Sequence, residues 1–148
     1  MKDLGSQFKD IWDEYSSEIQ EASVRSLNKS IDYTLENLKK DSPRDKHRKK
    51  HRVGKPRYAN GWKAMREDMG VNNVRAVIWN DNDPTLTHLL EYGHVLIRNG
   101  QEIGRTRAFP HIEHNQEKGA EYYEKELKKK IENIKWLRIL LKYLKIFP

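Results

Sequence analysis

Residues 83–115 read DPTLTHLLEYGHVLIRNGQEIGRTRAFPHIEHN, and their punctuation decides the fold. Asp83 stands where a helix cap belongs and Pro84 suits the first helical position. The next turns put Leu86, Leu89 and Leu90 on one face, and Gly93 follows as a left-handed stop. Two short segments, Val95 to Ile97 and Gln101 to Ile103, then flank Asn99-Gly100, the dipeptide favoured in tight hairpin turns. Phe109-Pro110 closes the segment and opens another helix. A short helix, a glycine stop, a hairpin and a proline-started helix form a compact joint with little room for a catalytic loop.

Upstream of this joint, residues 61–67 and 73–80 alternate as strands do. Trp62, Ala64 and Arg66 interleave with Lys63, Met65 and Glu67. Val74, Ala76 and Ile78 face away from Val77 and Trp79. Together with the hairpin they predict a sheet of three or four antiparallel strands. Residues 7–40 read as one long helix, unbroken by glycine or proline. Its apolar residues run Phe8, Trp12, Tyr15, Ile19 and Ala22, then slip in phase to Val24, Leu27, Ile31, Leu35 and Leu38. Ser42-Pro43 ends it. From Pro110 to about residue 146 the chain is helical again, with Ala120, Tyr123, Leu127, Ile131 and Ile134 as a stripe. The expected fold is therefore a single α+β domain, a long N-terminal and a C-terminal helix packed on a small antiparallel sheet.

The last turns of that second helix are apolar almost all round. Trp136, Leu140, Leu144 and Phe147 belong to this segment, which calls for cover on more than one side. A subunit contact or a fold back onto the first helix is expected before a membrane surface, because the apolar residues do not keep to one face. No run approaches the roughly 20 apolar residues of a membrane span. The first ten residues lack the apolar core of a secretion signal, so the chain reads as a soluble protein made in a cytoplasm.

The net charge of +7 is concentrated in one stretch. Residues 39–57 hold ten Lys and Arg against two Asp, a local net charge of +8, which leaves −1 for the rest of the chain. The stretch contains Pro43, Gly54 and Pro56 and has no apolar periodicity, so 41–60 is expected to be a disordered basic loop. Arg44, Lys46, Arg48, Lys49, Lys50 and Arg52 are its candidates for nonspecific contact with DNA phosphates. With Tyr58 its one aromatic, it offers no stacking platform for single strands.

Few residues suggest chemistry. The chain has no cysteine, which excludes disulfides and thiolate metal sites. His47 and His51 have helical ligand spacing, as do His111 and His114, but cations surround the first pair and the second lacks a third ligand. His94 with Asn99 and His114-Asn115 do not assemble a His-Asn-His nuclease unit in the required order. Glu91 invites reading as a general base, but an ion pair with His94 or a nearby arginine is the expectation. No cofactor is expected. Three classes of function are consistent with the residues: a structural assembly protein, a nucleic-acid-binding protein using the basic loop, and a small metal-dependent nuclease.

A resemblance favours the first class. Residues 87–94, THLLEYGH, followed by Arg107-Ala108-Phe109-Pro110-His111-Ile112, resemble the "LLE-x-GH … RPHI" core of a phage family. That family comprises small neck or tail-completion proteins of long-tailed bacteriophages. Ser42-Pro43 and residues 58–63, YANGWK, look like its "SP … TG-x-YA-x-GW" segment. The likeness runs from about Ser42 to Asn115. Val53-Gly54, after a basic insert, is the nearest pair to the family's Thr-Gly, and His114-Asn115 stand where the family has a second proline. The resemblance implies a virion protein made in the host cytoplasm, acting through oligomeric packing as one copy of a ring. It would meet head-closure and tail proteins, with no enzyme activity. Leu90, Glu91, Gly93, His94, Pro110 and His111 would be its structural signature.

Overall fold

Two long helices carry the chain, α1 (Leu4–Asp41) and α3 (Ile112–Leu144). The structure is a computed structural model and describes residues 4–44, 58–68 and 74–144. Between the helices come a 3-10 turn (Tyr58–Asn60), strands β1 (Trp62–Asp68) and β2 (Val74–Asn80), and helix α2 (Pro84–Tyr92). Strands β3 (Val95–Arg98) and β4 (Gln101–Arg105) follow. The fold is α+β, and each predicted helix and strand lies within a few residues of its expected place. The four strands do not merge into one sheet. They form two separate antiparallel pairs, β1–β2 and β3–β4.

The helices run antiparallel, and the seam between them differs from the expected apolar stripe. On α1 the buried positions are Ala22, Ser26, Ser30, Thr34 and Leu38, one every four residues. This row lies between the two apolar phases of the sequence, and Val24, Leu27, Ile31 and Leu35 flank it half-buried. Small side chains let the backbones approach. Ser30 Oγ donates to the Gly119 carbonyl at 2.6 Å, and Thr34 Oγ1 donates back to the Ser30 carbonyl at 2.8 Å. A β-carbon on Gly119 would run into Thr34 Oγ1, so this crossing requires glycine. Tyr33 stacks on Tyr122 with centroids 4.5 Å apart, Ser23 Oγ meets Tyr123 Oη at 2.8 Å, and Lys29 pairs with Glu126 at 2.6 Å.

Strands β1 and β2 pair in register from Trp62↔Asn80 to Asp68↔Val74. Alternation puts Trp62, Ala64, Ala76, Ile78 and Asn80 on one face, and Trp62 and Asn80 are buried where both strands pack on α1. Met65 and Trp79 lie on the other face and are exposed. The end of α1 is tied to this sheet through Ser42. Its Oγ donates to the Leu38 carbonyl at 2.6 Å and accepts from Trp62 Nε1 at 2.7 Å. Asn115, on the first turns of α3, donates from Nδ2 to Asp41 Oδ2 and to the His111 carbonyl.

Most of the basic loop, 45–57, lies outside the described residues, including Lys46, Arg48, Lys49, Lys50 and Arg52. So do residues 69–73, between β1 and β2. Trp136, Leu140 and Leu144 belong to α3 by their backbone. Their side chains, and all of Phe147, lie outside the described residues.

Candidate functional site

The signature residues converge where α2, the β3–β4 hairpin and the start of α3 meet. Helix α2 begins at Pro84, but Asp83 makes no side-chain cap bond. Asn80 instead orders the turn that leads into the helix. Its Oδ1 accepts from the backbone N–H groups of Asn82 and Asp83 at 3.2 and 3.1 Å, and its Nδ2 donates to the Tyr58 carbonyl. Asn80 closes the entry to α2 because it is buried at the end of β2, where its amide faces the turn.

Glu91 does not pair with His94 or with an arginine. Its side chain is 3% exposed and turned toward the first turn of α3. Oε2 accepts from the backbone N–H of His111 at 2.8 Å and of Ile112 at 2.9 Å, and Oε1 accepts from the N–H of Glu113 at 3.0 Å. The first N–H groups of any helix lack intrahelical partners, and an anion there also meets the positive end of the helix dipole. Glu91 is thus an N-cap supplied from another helix. Burial is the largest single influence on its carboxyl and pushes the pKa up. The three backbone donors and the nearby His111 imidazole outweigh burial together and hold it below the ordinary value.

His111 is equally enclosed, its side chain 3% exposed. Nδ1 donates to the Phe109 carbonyl at 2.6 Å, with Glu91 Oε2 at 3.2 Å. A carbonyl can only accept, so the proton sits on Nδ1, and in the neutral ring Nε2 accepts the Tyr58 hydroxyl at 2.9 Å. Burial, aided by the charges of Glu91 and Asp83, raises the Tyr58 pKa far above the usual phenol range, so Tyr58 remains a donor. Tyr58, Trp62 and His111 pack edge to face, with centroids 5.6 to 6.0 Å apart. A Tyr–His–Glu line can relay protons when one end meets substrate. Here both ends terminate on the protein's own backbone and aromatic cluster.

The hairpin leaves this junction through Gly93 and returns through Thr106. Gly93 has φ 69° and ψ 169°, a region that is essentially glycine's alone and lies beyond the left-handed helical basin expected for a stop. A β-carbon there would stand 2.6 Å from the Thr106 carbonyl oxygen. His94, instead of meeting Glu91, bonds Thr106. Its N–H donates to Thr106 Oγ1 at 2.8 Å, its Nδ1 lies 3.0 Å from the same oxygen, and its carbonyl accepts from the Thr106 N–H. Leu90 contributes its carbonyl, which accepts from the Phe109 N–H at 2.6 Å. Pro110 is exposed and leads into α3.

Beyond these anchors both strands are exposed along their whole length. The turn at their tip, Asn99-Gly100, has φ of 53° and 76°, as a primed two-residue turn requires. Val95, Leu96, Ile97 and Ile103 are exposed on this arm, and Leu89, Tyr92 and Phe109 are exposed at its root. Among the described residues just four apolar ones are buried, Ala22, Leu38, Ala59 and Trp62. Seven of the ten exposed large apolar residues among the described ones lie on this arm or at its root, and the base of the arm is hydrogen-bonded in place.

The other candidates are dispersed. Arg44 is exposed and turns back to donate to the Lys39 carbonyl at 3.0 Å. His114 is exposed on α3, while both nitrogens of His111 are engaged, so the pair does not present two ligands. His47 and His51 lie outside the described residues. Among the described residues no group of three or more His, Cys, Asp or Glu is placed to hold a metal ion. No helix among them is long and apolar enough to cross a membrane. The residues missed by sequence reasoning are Tyr58, Asn80, Asn115 and Thr106 as hydrogen-bonding partners. Tyr58 was within reach, since it stands in the YANGWK segment. No protein-family model, curated protein or solved structure matches the chain.

Proposed function

We propose that this chain is a structural component of the bacteriophage head–tail connection, needed for tail completion or joining and acting by oligomeric packing. One observation carries the reading. Leu90, Glu91, Gly93, His94 and His111 are engaged in hydrogen bonds and close packing at the root of an arm whose apolar side chains are exposed. Contiguous exposed apolar surface marks association, and an internal lock around it suits a part that works by shape. On this reading the partners are further copies of the chain in a ring, together with head-closure and tail proteins. The basic stretch 39–57 would meet the DNA that passes through, without reading its sequence.

A conditional nonsense mutation in the gene, in a phage that encodes it, tests the proposal. The expected product under restrictive conditions is filled heads and complete tails that remain unjoined. Normal, infectious particles lacking the protein would overturn it.

A further inference from the structure

The chain contains the dipeptide Asn-Gly twice, at 60–61 and at 99–100, and the fold treats the two pairs oppositely. In such a pair the glycine amide nitrogen can attack the side-chain carbonyl carbon of the asparagine and close a five-membered ring. Glycine favours this, because it has no β-carbon to shield the nitrogen or restrict the backbone. In a folded chain the outcome depends on whether that nitrogen is free and whether the backbone can turn it toward the side chain.

At the first pair neither condition holds. Asn60 ends the 3-10 turn, and the Gly61 N–H donates to the Tyr58 carbonyl at 2.9 Å. The Gly61 carbonyl accepts from the Asp81 N–H at 2.8 Å. Gly61 is buried, and a β-carbon on it would run into Asn80 Oδ1. Swinging the Gly61 nitrogen toward Asn60 would break this packing.

At the tip of the arm the restraints are few. Asn99 and Gly100 are both exposed, and nothing lies within 4 Å of a β-carbon built on Gly100. Among the described residues no backbone hydrogen bond of a turn takes up the Gly100 N–H. Asn99, at φ 53°, is the one non-glycine residue of positive φ among them, and it has to leave this conformation for the ring to close. A two-stranded hairpin exposed on both faces is marginal alone, so its tip opens for little free energy.

We propose that Asn99 is a site of spontaneous covalent modification. Gly100 N bonds to Asn99 Cγ, the Cγ–Nδ2 bond breaks, and the side-chain nitrogen leaves as ammonia with the Gly100 amide proton. Water then opens the succinimide. Hydrolysis at Cγ gives aspartate, and hydrolysis at the Asn99 backbone carbonyl gives isoaspartate, in which the main chain runs through Cβ and Cγ. Either product sets a carboxylate beside Arg98. Isoaspartate also lengthens the backbone by one carbon, which a two-residue turn does not accommodate. Exposure, hydrogen bonding and conformation carry the site, independently of any role in a phage.

The buried pair is the internal control. The full-length folded chain is held in mildly alkaline buffer, digested with pepsin at acid pH and read by mass spectrometry for conversion of amide to acid. Asn99 should convert at least about tenfold faster than Asn60, because a hairpin tip opens locally while a packed glycine is released by larger unfolding. In guanidinium chloride both pairs are free and the two rates should converge. Equal rates in the folded chain, or an Asn99 that stays intact there while it converts in denaturant, would overturn the proposal. A difference undiminished in denaturant would contradict it too, since the fold would not be its cause. Isoaspartyl chains separated by ion exchange should exchange the amides of residues 95–105 faster than fresh chains, with α1 unchanged. Equal protection would contradict the loss of the turn.

Discussion

The Glu91 carboxylate lies 2.8 Å from the backbone nitrogen of His111 and 3.2 Å from its Nδ1, so one residue of α2 fixes both the start of α3 and the ring just before it. That pair joins the short helix, the arm and the long C-terminal helix into one unit. Removing the carboxylate leaves three buried N–H groups without an acceptor. Glu91→Ala is expected to destabilise the chain by about 3 kcal/mol, and Glu91→Gln by about half as much, because one amide oxygen still accepts. Chemical denaturation measures both. A change near zero for the alanine variant would mean that water replaces the cap.

The same carboxylate should mark the acid limit of stability. Its pKa in the folded chain lies below the ordinary 4.5. A depressed carboxyl contributes stability that is fully present above the unfolded pKa and is lost as pH falls through the folded value. The melting temperature of the natural chain should therefore approach that of Glu91→Gln as pH drops below about 4.5, and exceed it by a constant amount near neutrality. Parallel melting curves across that range would remove Glu91 as the titrating group.

Gly93→Ala should cost about 2 kcal/mol, since an alanine must adopt a glycine-only conformation while its β-carbon meets the Thr106 carbonyl. The weakening should appear as earlier hydrogen exchange at the amides of residues 94–106, ahead of α1. Unchanged protection there would show that the arm's root can be rebuilt without this glycine.

These two positions differ in how visible they are beforehand. Gly93 and the Asn99-Gly100 turn follow from local backbone chemistry, which a sequence displays directly. The partner of Glu91 does not, because the choice between His94 and the first turn of α3 depends on how two helices meet in space. The seam of α1 was hidden for a related reason. Apolar periodicity points to Val24, Leu27 and Ile31, while close helix approach selects Ser26, Ser30 and Thr34 for their small size. Division of the strands into two pairs depends likewise on tertiary placement, since β1–β2 packs on α1 and the arm does not.

Gly119→Ala tests that seam. Alanine is the better helix former by roughly 1 kcal/mol, yet its β-carbon meets Thr34, and overpacking should make the variant less stable by about 1 to 3 kcal/mol. Thr34→Ala in the same chain should recover much of that stability, because the two side chains would otherwise collide. A Gly119→Ala chain more stable than the natural one would show the helices free to separate.

The basic stretch should be separable from the fold. Lys46, Arg48, Lys49, Lys50 and Arg52 belong to a segment without apolar periodicity, so replacing all five with serine should change stability by less than about 0.5 kcal/mol. Binding to duplex DNA should weaken, and its dependence on salt should flatten by up to ~0.9 log unit for each phosphate no longer neutralised. Identical salt slopes before and after would assign the stretch to another partner.

The place of the chain in a particle can be seen directly. Gold-labelled antibody against it, imaged by electron microscopy on virions of a phage that encodes it, measures that position. Label is expected at the junction between head and tail, on intact particles or on heads and tails separated there. Label confined to the tail tip or the capsid surface, or virions that carry none of the protein, would contradict a role in the head–tail connection.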